Sequence, residues 1–159
     1  MRLMARQAAA LIASILVAAC AANAGEKPQV RTVDEINLQQ GFALKGYDPV
    51  AYFAEGGPAA GNTAIRYQWR GATWLFSTEE HRKAFMADPV RYAPQFGNYC
   101  AMALALGKVV TANPEHWLVS DNKLYVFGSP APKGPELFQK DLAGNITKAS
   151  QNRSILPKD

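Results

Sequence analysis

The sequence predicts a small α+β domain of about four strands in two hairpins, packed with two or three short helices. Three observations carry this. Residues 65–70 (IRYQWR) alternate apolar and polar with period two, the pattern of a half-buried strand. Gly71 breaks that run, and residues 73–76 (TWLF) read as the returning strand of a hairpin. Residues 117–119 (WLV) and 124–127 (LYVF) repeat the arrangement around Asp121-Asn122, two residue types that tolerate the positive φ of a tight turn. Helix signals lie between and after the hairpins, in an order too irregular for a strictly alternating α/β chain.

The chain has 159 residues, which favours one domain, and its 48% hydrophobic and 19% charged residues are those of an ordinary globular protein. Nothing in the sequence repeats at a fixed period. With 12 Gly and 10 Pro, loops should be frequent and elements short.

Residues 1–24 have the three parts of a signal peptide. Arg2 and Arg6 form a positive start, residues 8–19 (AAALIASILVAA) an uncharged run, and Ala22-Asn23-Ala24 the small-residue cleavage pattern. The run is shorter than the ~20 apolar residues a bilayer-spanning helix needs. The expected product is therefore exported and periplasmic, with no transmembrane span. An alternative cleavage pattern, Val17-Ala18-Ala19-Cys20, resembles a lipobox and would anchor the chain by a lipid on Cys20. If Arg2 and Arg6 leave with the signal, 15 basic residues face 13 acidic ones. Such a balance, with no basic cluster, argues against nucleic-acid binding.

Residues 25–41 read as a polar N-terminal arm. Asp48-Pro49 reads as a turn with the Asp side chain in its hydrogen-bonding position. Ser77, followed by Glu80 three residues on, predicts a capping box and a helix over 78–87, with His81 and Phe85 on one face. Pro89 ends it. Asn98 is the expected cap of a second helix over 99–106, closed by Gly107, which would place Cys100 in its first turn. Residues 128–159 form an extension with a weak helical pattern over 136–146. Trp69, Trp74, Phe76, Phe85 and Tyr99 are core candidates, and His116 is expected to be exposed.

Three linked stretches carry a family resemblance: GYDPVAYF (46–53), WLFSTEEHRKAF running into DPVRYAPQ (74–95), and FGNYCA (96–101). In order and spacing they resemble the exported YHS-domain proteins of bacteria, over about residues 42–127. Asn98 stands where the family commonly has a second Gly, and the extra cysteines of metal-linked relatives are missing. The resemblance implies a metal-handling context, a binding module for a soft metal ion rather than an enzyme.

Export removes Cys20 or commits it to lipid, leaving Cys100 without an internal disulfide partner. In the first turn of a helix its thiol would be pushed toward thiolate; buried, it would be an inert small hydrophobe. His81 is either a structural histidine or, if its helix packs beside Cys100, the second donor of a thiolate–imidazole site. That pair would suit Cu(I), so copper is the favoured cofactor, and would not suit structural zinc. Tyr47 and Asp48 could support such a site from behind. Two other readings stay open: a thiol enzyme or redox protein using Cys100 with His81 as base, and a purely structural interaction domain.

Overall fold

The computed structural model describes residues 41–157. The expected signal peptide, Cys20 and the arm up to residue 40 lie outside the described residues. The architecture is mixed α+β, with two separate antiparallel hairpins and six short α-helices among the described residues.

The first hairpin pairs β1 (Asn62–Trp69) with β2 (Ala72–Phe76) and turns through Arg70 and Gly71, both at positive φ (51° and 76°). Two consecutive left-handed residues match the right-handed twist of the flanking strands, which explains so tight a connection. The segment β3 (Gln95–Asn98) precedes the second hairpin, β4 (Asn113–Ser120) with β5 (Lys123–Phe127). That hairpin turns through Asp121 and Asn122 at φ 49° and 57°, as their side-chain types predicted.

Before the first hairpin lie a 3-10 turn, Ala43–Gly46, and helix α1 (Ala51–Ala54); after it come α2 (Glu79–Ala87) and α3 (Pro89–Tyr92). Helix α4 (Ala101–Ala105) joins β3 to β4, and α5 (Pro135–Lys140), α6 (Leu142–Gln151) and a 3-10 turn, Asn152–Ile155, close the fold. The stretch beyond residue 127 belongs to the core, because Phe138, Ala149 and Leu156 are buried. Among the described residues no helix is long and apolar enough to cross a membrane.

Two apolar clusters form the interior. The first surrounds Phe85, whose ring meets Trp74, Phe76, Trp69 and Tyr67, with Leu44, Val50 and Tyr52 beside them. The second gathers Phe96, Tyr99, Cys100, Leu104, Tyr125, Phe127 and Phe138. Strand β5 serves both: Leu124 and Val126 face the first cluster, Tyr125 and Phe127 the second. Burial on both faces accounts for its unbroken apolar run.

Two helix starts differ from expectation. Thr78, not Ser77, caps α2, its hydroxyl accepting the His81 N–H at 3.1 Å, because Ser77 is drawn to a more distant partner. Cys100, not Asn98, caps α4: its Sγ accepts the Ala103 N–H at 3.4 Å, while residues 95–98 are extended. Cys100 therefore precedes the helix instead of lying in its first turn. His116, expected exposed, is half-buried in β4.

Candidate functional site

A polar centre is built around Asp48, which is 0% exposed. A buried carboxylate must find donors, and Asp48 has four close ones. Its Oδ1 accepts the Val50 N–H at 2.8 Å, the turn bond expected of Asp-Pro. Its Oδ2 accepts the Ser77 N–H at 2.8 Å, the Ser77 hydroxyl at 2.7 Å and His81 Nδ1 at 2.7 Å. The chain on either side is pinned as well: the Asp48 N–H donates to the Ala59 carbonyl at 2.9 Å, and the Gly61 N–H to the Gly46 carbonyl at 2.9 Å.

Helix α2 delivers His81. Ser77 stands just before the cap and His81 four residues on, one helical turn away, so both side chains reach the same carboxylate. A carboxylate only accepts, so Nδ1 carries a ring proton, and in the neutral imidazole Nε2 keeps its lone pair. The His81 side chain is 13% exposed, and its Nε2 lies 3.8 Å from Glu55 Oε1, on a carboxylate that is itself 50% exposed. The pair of donors facing outward is therefore one imidazole nitrogen and one exposed carboxylate. Among the described residues no group of three or more His, Cys, Asp or Glu side chains is arranged to hold a metal ion.

Ser, His and Asp occur together without forming a hydrolytic triad. A triad needs the serine on the ring nitrogen opposite the carboxylate, where the imidazole can take its proton. Here Ser77 Oγ lies 3.2 Å from Nδ1, the same nitrogen that faces Asp48, and its hydroxyl proton is directed at Asp48. Ser77 braces the carboxylate.

Of the residues singled out from sequence, the structure brings together His81 and Asp48. Tyr47 turns elsewhere: its hydroxyl donates to Glu115 Oε1 at 3.0 Å, and that bond, with burial and the carboxylate's charge behind it, raises its pKa. Cys100 is 7% exposed in the second apolar cluster, with its N–H on the Val110 carbonyl at 2.8 Å. No hydrogen bond or ion pair joins it to His81. Sequence reasoning missed Ser77 as a brace and Glu55 altogether. The Ser77/His81 spacing of one turn could have indicated the first; nothing in the sequence points from Glu55 to His81.

No family model, curated protein or solved structure matches this chain.

Proposed function

We propose that this chain is an exported metal-binding module, related to the YHS-domain proteins its motifs resemble, with His81 Nε2 as the metal-facing donor and Asp48 as the group that orients it. The observation that carries the reading is the 2.7 Å bond from His81 Nδ1 to a fully buried carboxylate. Metal-ligating histidines commonly donate their other ring N–H to a carboxylate, which fixes the tautomer and makes the free nitrogen more basic. Four hydrogen bonds on Asp48 exceed what a turn alone requires, and three of them converge on the oxygen that faces the imidazole.

Glu55 is the second donor within reach, and water or an outside ligand would fill the remaining positions. One imidazole and one carboxylate suit borderline divalent ions, and Cu(II) binds such sites more tightly than Zn(II). Copper thus remains the favoured metal, as Cu(II) instead of Cu(I), since the soft thiolate is not beside the imidazole. The thiol-enzyme reading lacks this support, because a base that activates Cys100 must stand within hydrogen-bond reach of it.

The test is a competition titration of the purified protein with Cu(II) and Zn(II) against a chelator, beside His81→Ala and His116→Ala. One equivalent bound, weakened tenfold or more by His81→Ala and unchanged by His116→Ala, is the expected result. A parent protein that binds neither ion sinks the proposal.

A further inference from the structure

The two hairpins coincide residue for residue. Asn62, Arg66, Tyr67 and Phe76 in the first correspond to Asn113, Trp117, Leu118 and Phe127 in the second, at a constant offset of 51 residues (62 to 113, 66 to 117, 76 to 127). Both ladders break their register at the same place, after the initial Asn, and both turn through two left-handed residues. In both, the Asn side chain accepts the N–H two residues on: Asn62 from Ala64 at 2.9 Å, Asn113 from Glu115 at 3.1 Å.

The match extends beyond the strands. Upstream, Tyr47 bridges to Ala60 as Tyr99 bridges to Thr111, and the Asp48 N–H meets the Ala59 carbonyl as the Cys100 N–H meets that of Val110. Downstream, Phe85 packs on Trp74 and Phe76, the counterparts of Tyr125 and Phe127 on which Phe138 packs. Bulges and turn types in β-structure are specific devices, and coincidence of register, bulge, turn, side-chain cap and helix contact is not expected of unrelated hairpins. A sequence without a visible period thus folds as a repeat.

We infer that the described chain is an internal duplication of a unit of about 50 residues, in which Cys100 is the second unit's counterpart of Asp48 and takes no part in the His81 site. The other members of the polar centre have no counterparts in the second unit either. Ser77 corresponds to Gly128, where an added Cβ would lie 3.7 Å from Cys100 Cβ. His81, four residues before Phe85, corresponds to Gly134, four before Phe138, where a Cβ would collide with the Ser129 carbonyl oxygen and Phe127. The carboxylate, hydroxyl and imidazole occur together in the first copy alone; in the second a thiol fills the carboxylate's place inside an apolar cluster.

Restoring the first unit's pair in the second tests the duplication without reference to any ligand. Val110 is the counterpart of Ala59 and lies 3.1 Å from a Cβ on Gly128, so the test is made in a Val110→Ala background. There Cys100→Asp should lower the melting temperature, and adding Gly128→Ser should restore at least about 5 °C of the loss, because the hydroxyl supplies a charge-assisted bond as Ser77 does for Asp48. No recovery, or failure of the combined variant to fold, overturns the equivalence. The separation of Cys100 from the His81 site rests on the proposed metal binding: Cys100→Ala should bind Cu(II) within about twofold of the parent, and a tenfold loss contradicts it. A parent without metal binding defeats the proposed function, while the melting test still decides the duplication.

Discussion

Replacing Asp48 separates the fold from the site. Asp48→Ala removes the acceptor of four hydrogen bonds from a position with no access to water. Bonds to a charged group contribute roughly 1.5–3 kcal/mol each but are not additive. A loss of about 4 kcal/mol follows, within the roughly 5–15 kcal/mol that holds a domain together. At about 4 °C per kcal/mol, the melting temperature should fall by about 15 °C. Asp48→Asn keeps the shape and one acceptor oxygen, so it should cost only about 1–3 kcal/mol. Its amide oxygen serves best in the place of Oδ2, where three donors converge, so Nδ1 keeps an acceptor, but a neutral one that no longer raises the basicity of Nε2. Metal affinity should drop roughly 10–100-fold, as for other groups behind a ligating histidine. Ser77→Ala removes one bond to Asp48 while leaving Nδ1–H in place, so its affinity should change by less than about tenfold. Calorimetric melting and chelator competition on the three variants give both readouts. A folded Asp48→Asn protein with parental affinity, or an Asp48→Ala protein less than about 1 kcal/mol destabilised, would refute the reasoning.

Other expectations concern the frame around the site. Tyr52 is buried, with its hydroxyl donating to the Pro114 carbonyl at 2.9 Å, and burial first, then the nearby Tyr47, Asp48 and Glu115, holds its pKa far above the ordinary value of 10.0. The folded state therefore keeps this proton where the unfolded chain releases it. The stabilisation is complete below about pH 10 and declines above it by about 1.4 kcal/mol per pH unit for this one group. Tyr52→Phe should cost about 1 kcal/mol at pH 7 and make the alkaline decline shallower by about one proton; urea midpoints across pH 8–11 measure both. Phe85→Ala empties the centre of the first cluster and should cost about 3–5 kcal/mol, whereas Met86→Ala, next in the chain but 44% exposed, should stay within about 0.5 kcal/mol in the same urea assay.

What could be read from the sequence was local. The alternation in 65–70, the return at 73–76 and the turn at Asp121-Asn122 gave both hairpins, since side-chain period and turn chemistry are properties of neighbouring residues. The Asp48 turn was equally legible. Local sequence does not decide the second role of Asp48, because Ser77 and His81 reach it across 29 and 33 residues of chain. The same long-range pull moved the α2 cap from Ser77 to Thr78, a residue equally able to accept the helical N–H. The cap at Cys100 was missed because Asn98 is the stronger capping type; its extended backbone in β3 removed it from that role. The duplication was hidden because the paired positions share few side chains. Tyr67 stands against Leu118 and Gln68 against Val119, and what repeats is backbone register.

The central claim concerns one nitrogen, and long-range proton–nitrogen NMR on the isotopically labelled protein reads it directly. The chain has 2 histidines, so a His116→Ala sample assigns the His81 ring. Without metal the ring should carry its proton on Nδ1, and one equivalent of Zn(II) should shift Nε2 while the Nδ1 proton stays in place. A proton on Nε2 in the metal-free protein, or a ring unchanged by saturating Zn(II), would contradict the account.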